Sequence, residues 1–210
     1  MPITAIAINT TLKPSGLKPS GKGRPRSSTD AMIAVIAEAL AKYDVTVSET
    51  LRIADYNVLP GVSSDEGKGD DWPALRTKIL AHDILIFGGP IWMGQASSVA
   101  KRVLERMDAF LGETDDAGRM PSYGKVAVAA IVGNEDGAHF MTAQLFQSLN
   151  DTGWTIPPSA ACYWVGEAMG DVDFIDLQAT PRKVTNAARM LASNAAHLAE
   201  LLSGKMYPGI

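Results

Sequence analysis

The chain alternates short apolar runs with longer segments in which apolar residues recur every three or four positions. The run at residues 3–9 is rich in β-branched residues and predicts a strand buried on both faces, and residues 83–88 are the clearest buried strand. Residues 44–53 alternate and predict a second strand, residues 125–132 predict a fourth, and a fifth is expected within 154–165. The periodic segments predict helices near residues 31–43, 72–81, 96–111, 138–152 and 181–203. This alternation predicts an α/β domain in which helices cover both faces of a parallel sheet.

Three polar, glycine-rich loops follow the first, third and fourth strands. Ligands of such sheets bind outside the carboxyl ends of the strands, so these loops are expected to meet at one crevice. The third strand is expected to end at Gly88, because Gly89 and Pro90 follow it and proline lacks the backbone N–H that regular structure needs. Any function is therefore sought in the three loops.

The first loop ends in hydroxyl residues at a helix start, namely Ser27, Ser28 and Thr29. Amides at a helix N-terminus together with hydroxyl groups form a phosphate cradle, although the same residues also suit an ordinary helix cap. The loop also carries five cations and no acidic residue. These cations either contribute to an anion site or form a solvated basic segment; they are Lys13, Lys18, Lys22, Arg24 and Arg26. Its spacing matches neither the dinucleotide-binding glycine motif nor the P-loop.

The second and third loops suit a flat heteroaromatic ligand. Residues 88–97 combine glycines and a proline with Trp92. The glycines and the proline leave backbone polar groups free to face a ligand, and Trp92 can cover its flat face. Alternatively, the segment is a tight turn with a core tryptophan. Residues 133–139 open a helix whose dipole favours negative charge on a ligand. Glu135 and Asp136 are expected to cap that helix or face water. His139 is either an acid or a structural hydrogen-bonding residue.

The composition narrows the class of protein. With 210 residues, 46% hydrophobic content and a net charge of −4, the chain is predicted to form a single globular domain over residues 1–210, without nucleic acid as its main partner. The single cysteine, Cys162, excludes an internal disulfide and a thiolate metal cluster, and favours a cytoplasmic location. The N-terminal apolar run is too short for a membrane span and lacks signal-peptide features. No metal site is expected.

Taken together, the loops resemble those of the flavodoxin-like NAD(P)H-dependent FMN reductase and quinone reductase families. The resemblance extends from the first strand to about Gly166. It implies a three-layer sandwich with a five-stranded parallel sheet of order 2-1-3-4-5. It also implies FMN-binding residues in each loop: Thr10, Thr11, Lys13, Ser27, Ser28 and Thr29 in the first; Pro90, Ile91, Trp92, Met93 and Gly94 in the second; Gly133, Asn134, Glu135, Asp136, Gly137 and His139 in the third.

The resemblance further implies an oxidoreductase that passes a hydride from NADH or NADPH through bound FMN to a quinone, free flavin or similar small-molecule acceptor. Backbone amides of residues 92–94 and 133–137 are expected to polarise the ring, and His139 or Tyr163 to orient the acceptor. A homodimer or homotetramer is expected, because related enzymes often close the flavin site with a second subunit. The alternative is a non-catalytic electron carrier of the flavodoxin type, which the mild net charge disfavours. A receiver-type signalling domain and a hydrolase lack their motifs here.

Overall fold

A parallel sheet forms the centre of the molecule in the computed structural model, which describes residues 2–16 and 27–210. Its strands are β1 (Thr4–Asn9), β2 (Thr46–Arg52), β3 (Ile84–Trp92), β5 (Val126–Gly133) and β6 (Ala161–Val165), and a short strand β4 (Gln95–Ala96) pairs antiparallel with β3. The order β2-β1-β3-β5-β6 confirms the predicted order of the five parallel strands, with β4 as an addition. Lys18, Lys22, Arg24 and Arg26 of the basic loop lie outside the described residues.

Helices cover both faces of the sheet, as predicted. They are α1 (Ser28–Ala41), α2 (Trp72–Leu80), α3 (Ser98–Met107), α4 (Ala138–Asp151) and α5 (Arg182–Gly204). Alternate residues of β3 point to opposite faces: Ile84 and Ile86 join the core under α1 and α5, whereas Leu85 and Phe87 join the core under α2, α3 and α4. No helix in the described ranges is long and apolar enough to cross a membrane.

The prediction that the third strand ends at Gly88 is wrong, because β3 continues through Gly89 and Pro90 to Trp92. Gly88 pairs with Ala130, and the ladder to β5 carries on over the next two residues. Pro90 is tolerated because β1 ends opposite Gly88, so among the described residues β3 has a parallel neighbour on one side only at this point. The glycine has a packing role: a Cβ at residue 88 would lie 2.7 Å from Ile33 Cδ1 of α1.

A buried ion pair organises the long loop between β2 and α2. Asp70 and Arg106 have fully buried side chains 2.7 Å apart. The guanidinium also donates to the carbonyls of Leu59 and Ser63, both at 2.9 Å. Burial acts to raise the pKa of Asp70, but hydrogen bonds from Arg106 and from the amides of Glu66, Trp72 and Leu59 outweigh it and hold that pKa well below its ordinary value. The loop is thereby tied to α3.

Candidate functional site

A cavity of ≈190 Å³ opens at the carboxyl ends of β1, β3 and β5, where the three loops meet. Eleven of the predicted binding residues line it: Thr11, Lys13, Ser27, Ser28, Thr29, Pro90, Ile91, Trp92, Gly133, Asn134 and Glu135. Six others are not in its lining: Thr10, Met93, Gly94, Asp136, Gly137 and His139. Five further residues complete the wall without having been predicted: Leu12, Val132, Trp164, Asp173 and Phe174.

One end of the cavity is the N-terminus of α1. The hydroxyl of Ser27 caps this helix by accepting the amide of Asp30 at 3.3 Å. The side chain of Asn9, fully buried at the end of β1, donates to the Ser27 hydroxyl at 3.1 Å and accepts the amide of Thr11 at 2.9 Å. Asn9 therefore joins the first loop to the helix start, and this end offers hydroxyls, helix amides and the cation Lys13 to an anionic group.

Arg52 supports the same end from beneath. This residue ends β2 opposite Asn9, and its guanidinium is almost completely buried. It forms an ion pair with Asp30 in the first turn of α1 and donates to the carbonyl of Lys13 at 3.3 Å. Sequence reasoning missed Arg52 because its partners lie 22 and 39 residues away; the only signal was a charged residue at the end of a predicted strand.

The second loop is a tight hairpin between β3 and β4. Trp92 pairs with Gln95, and Met93 and Gly94 between them have φ values of +50° and +73°. Positive φ at both central residues is typical of a type I′ turn, in which Asn or Gly is usual at the first position. Met93 is 85% exposed and is not in the cavity lining, so the hairpin presents this residue to solvent.

The carboxylate of Glu135 binds the turn of that hairpin. One oxygen accepts the amide of Met93 at 3.1 Å, and the other accepts the amide of Gly94 at 3.0 Å. The expectation that Glu135 caps the helix or faces water is therefore wrong, and these two amides are not directed at a ligand. Asp136 is exposed and accepts the amide of Gly137, its own neighbour, so within the described residues α4 begins without a side-chain cap.

The second and third loops touch backbone to backbone. Gly137 has a φ of +129°, and a Cβ there would lie 2.5 Å from the carbonyl oxygen of Gly94. Only glycine at 137 allows this approach, because any side chain would collide with a backbone atom that cannot rotate away. The hairpin and the start of α4 thus form one rigid wall beside the cavity.

The loop after β6 forms the remaining wall. Asn134 holds it, since its side-chain amide donates to the carbonyl of Gly170 at 2.7 Å and its own carbonyl accepts the amide of Met169 at 2.9 Å. The Asn134 amide is therefore engaged within the protein. Phe174 packs on Trp164 with ring centres 5.6 Å apart, and both face the cavity. This loop carries no motif, which is why sequence reasoning missed it.

Thr10 and His139 have partners away from the cavity. The Thr10 hydroxyl is buried and donates to the carbonyl of Gly88 at 2.8 Å, which fixes the end of β1 against β3. His139 is exposed on α4, where its Nε2 lies 2.9 Å from the hydroxyl of Tyr163 and the two rings meet edge to face. The interpretation of His139 as an acid stays a prediction that this geometry does not favour.

The residues in the lining fit FMN. A phosphate would meet the start of α1, its hydroxyls and Lys13. A flat ring would meet the apolar side chains of Ile91, Val132 and Trp92.

A family model of NADPH-dependent FMN reductases matches residues 20–170 of the chain. The chain belongs to this family. It is accordingly a flavin-dependent oxidoreductase by class, and the prediction of the family from the three loops is confirmed.

Two relatives and one solved structure extend the comparison. The chain is 30% identical over 217 residues to the 8-demethyl-8-aminoriboflavin-5′-phosphate synthase of Streptomyces davaonensis, covering 99% of this chain and 81% of that protein. The crystal structure of RosB with the bound intermediate 8-demethyl-8-formylriboflavin-5′-phosphate has a TM-score of 0.85 at 28% identity, covering 98% of this chain and 82% of that one. The chain is also 35% identical over 178 residues to the divalent metal cation transporter MntH of Mycobacterium bovis, but spans only 25% of its length.

Proposed function

We propose that the chain binds FMN in this cavity and works as an NADH- or NADPH-dependent reductase. Electrons would pass to a quinone, a free flavin or a similar small-molecule acceptor. The observation that carries the proposal is the meeting of three loops at one cavity, with eleven of the predicted binding residues in its lining. Membership of the FMN reductase family supports the choice of cofactor.

The phosphate of FMN is assigned to the start of α1. Ser27, Ser28 and Thr29 would hold it with backbone amides and hydroxyls, and Lys13 would supply positive charge. Arg52 is not among the residues that line the cavity; its role would be to neutralise Asp30, whose carboxylate would otherwise repel a phosphate at this helix end.

The ring is assigned to the strip formed by Pro90, Ile91 and Trp92 across from Gly133. Trp92 is 47% exposed, so it can cover one ring face while the other stays open to a second ligand. When bound, FMN supplies the two-electron redox chemistry of the family. The chain has only to hold and orient the reactants, so no side chain has to act as a nucleophile.

A second candidate is an enzyme for which a flavin phosphate is the substrate. It is favoured by the similarity to the 8-demethyl-8-aminoriboflavin-5′-phosphate synthase along 99% of this chain. The same cavity would serve, because a modified FMN carries the same phosphate and the same flat ring. The two candidates differ in whether the flavin leaves the protein chemically unchanged.

The test is a stopped-flow reduction of the FMN-loaded protein by NADH and by NADPH, followed by mass spectrometry of the released flavin. The reductase proposal expects reduction faster than that of free FMN, and FMN recovered unchanged. Reduction no faster than in free FMN would instead favour an electron carrier. A flavin of altered mass after incubation would favour the second candidate.

We also propose a homodimer or homotetramer in the cytoplasm. Large apolar side chains are exposed around the cavity, among them Trp92, Met93, Tyr163 and Met169. A second copy of the chain could cover these side chains and close the open face of the ring. Light scattering of the purified protein should give a mass of two or four chains, whereas a monomer at micromolar concentration would contradict this part of the proposal.

A further inference from the structure

We propose that Glu135 is a positioning residue for the flavin ring. Its carboxylate clamps the turn at Met93 and Gly94 to the third loop, and it fixes one negative charge at the ring end of the cavity. The inference rests on the proposed function for the ligand, but the clamp itself is a property of the protein alone.

In the clamp, the two oxygens of the Glu135 carboxylate each accept a hydrogen bond from one of two successive backbone amides. The Met93 amide lies 3.1 Å from one oxygen and the Gly94 amide 3.0 Å from the other. Hydrogen bonds to a charged acceptor are about twice as strong as neutral ones, and a bidentate pair also fixes orientation. Glu135 also lines the cavity, so the residue that clamps the hairpin borders the ligand space.

The turn needs such support. Met93 has a φ of +50°, a left-handed conformation that is uncommon for residues other than glycine, asparagine and aspartate. Strained residues of this kind persist where the surrounding structure holds them in place. Glu135 accepts the amide of the strained residue itself, which stabilises the turn in this conformation rather than a relaxed one.

The position of the hairpin matters to all three loops. Beyond the turn, the Ala96 amide donates to the side chain of Gln144 on α4 at 3.3 Å. The Ser97 hydroxyl donates to the carbonyl of Thr10 in the first loop at 2.7 Å. The hairpin is therefore joined to both other loops, and we expect a release at its turn to loosen the Trp92 end of the Pro90–Trp92 strip.

Two consequences follow for the ligand. The Met93 and Gly94 amides are already paired, so the ring edge is held by the Pro90–Trp92 strip and not by these two donors. The carboxylate also places negative charge near the ring, which disfavours added electron density there. Removing the charge should therefore make the bound flavin easier to reduce.

The experiment compares wild type with Glu135→Gln and uses Asp136→Asn as the matched control. Glutamine retains one acceptor oxygen, but its amide group is a donor that cannot pair with a second N–H. Asp136→Asn removes the same charge one residue away, from a carboxylate that bonds only its neighbouring amide among the contacts described. Amide hydrogen exchange of Met93 and Gly94, followed by NMR in the flavin-free protein, should accelerate about tenfold in Glu135→Gln and stay unchanged in Asp136→Asn.

The FMN-loaded proteins give the second and third measurements. We expect the dissociation constant for FMN to rise about tenfold in Glu135→Gln. We also expect the midpoint potential of the bound FMN to rise by about 30 mV in this variant. For a two-electron couple this corresponds to a tenfold change in the ratio of the affinities for oxidised and reduced FMN. Unchanged amide exchange of Met93 and Gly94 in Glu135→Gln would overturn the clamp. Faster exchange with unaltered affinity and potential would overturn the positioning role. A wild-type protein that binds no FMN would refute the proposed function and the positioning role together, while the exchange data would still decide the clamp.

Discussion

Replacing Gly137 with alanine tests whether the contact between the second and third loops builds the cavity. The added Cβ would lie 2.5 Å from the Gly94 carbonyl oxygen, whereas ordinary contact begins at 3.4 Å. The hairpin would have to retreat by about 0.9 Å, at a cost of about 1–3 kcal/mol by analogy with overpacked cores. The residue also has a φ of +129°, and this conformation costs alanine a further ~1–3 kcal/mol.

Gly67→Ala is the matched control for the cost of placing alanine in a positive-φ conformation. Gly67 has a comparable φ of +96°, but a Cβ there would meet no described atom within 4 Å. The control should therefore lose only about 1–3 kcal/mol, whereas Gly137→Ala should lose about 2–6 kcal/mol. For a chain of this size, 1 kcal/mol shifts Tm by about 2–4 °C.

Thermal unfolding and FMN titration, both followed by fluorescence, provide the assay. We expect Gly137→Ala to have the lower Tm and to bind FMN at least about tenfold more weakly, because the hairpin that carries Trp92 has moved. The Gly67→Ala variant should bind FMN like wild type. Equal losses of stability in the two variants, together with wild-type FMN affinity in Gly137→Ala, would show that the backbone contact does not shape the site.

Three further predictions concern buried groups. Arg52→Met should weaken FMN binding about tenfold while leaving riboflavin binding unchanged in parallel titrations, because it exposes the phosphate to an uncompensated Asp30; equal losses for both flavins would contradict this role. Asp70→Asn should cost about 3–5 kcal/mol in urea unfolding, because it leaves the Arg106 guanidinium buried without its counter-charge. The folded pKa of Asp70 lies below the ordinary value of 3.8, so the stability from this group is complete above about pH 5 and is lost as the pH falls from there towards the lowered folded pKa. The variant should therefore lose less stability on acidification than wild type. Burial raises the pKa of Cys162 to about 12, so a thiol reagent at pH 8 should label it only after unfolding, and rapid native labelling would refute its burial.

The order of elements could be predicted because it depends on local patterns. Apolar runs such as residues 125–132 and three-to-four periodicity such as residues 138–152 indicate strand and helix without knowledge of their partners. The end of β3 was predicted wrongly for the same reason. Proline and glycine were judged as local breakers, whereas the register with β5 and the closeness of α1 made them part of the strand.

The candidate site likewise has features that local patterns predict and features that depend on contacts between distant residues. Local sequence patterns were enough to predict which loops meet, because the carboxyl ends of parallel strands lie at one edge of a sheet, and eleven predicted residues line the cavity there. The hydrogen-bond partner of each polar group, by contrast, depends on the folded structure. Glu135 reaches 41 and 42 residues back to the hairpin, Arg52 reaches Asp30 across β1, and Phe174 arrives from a loop without a motif. Such pairings depend on three-dimensional distance, which spacing along the chain does not encode.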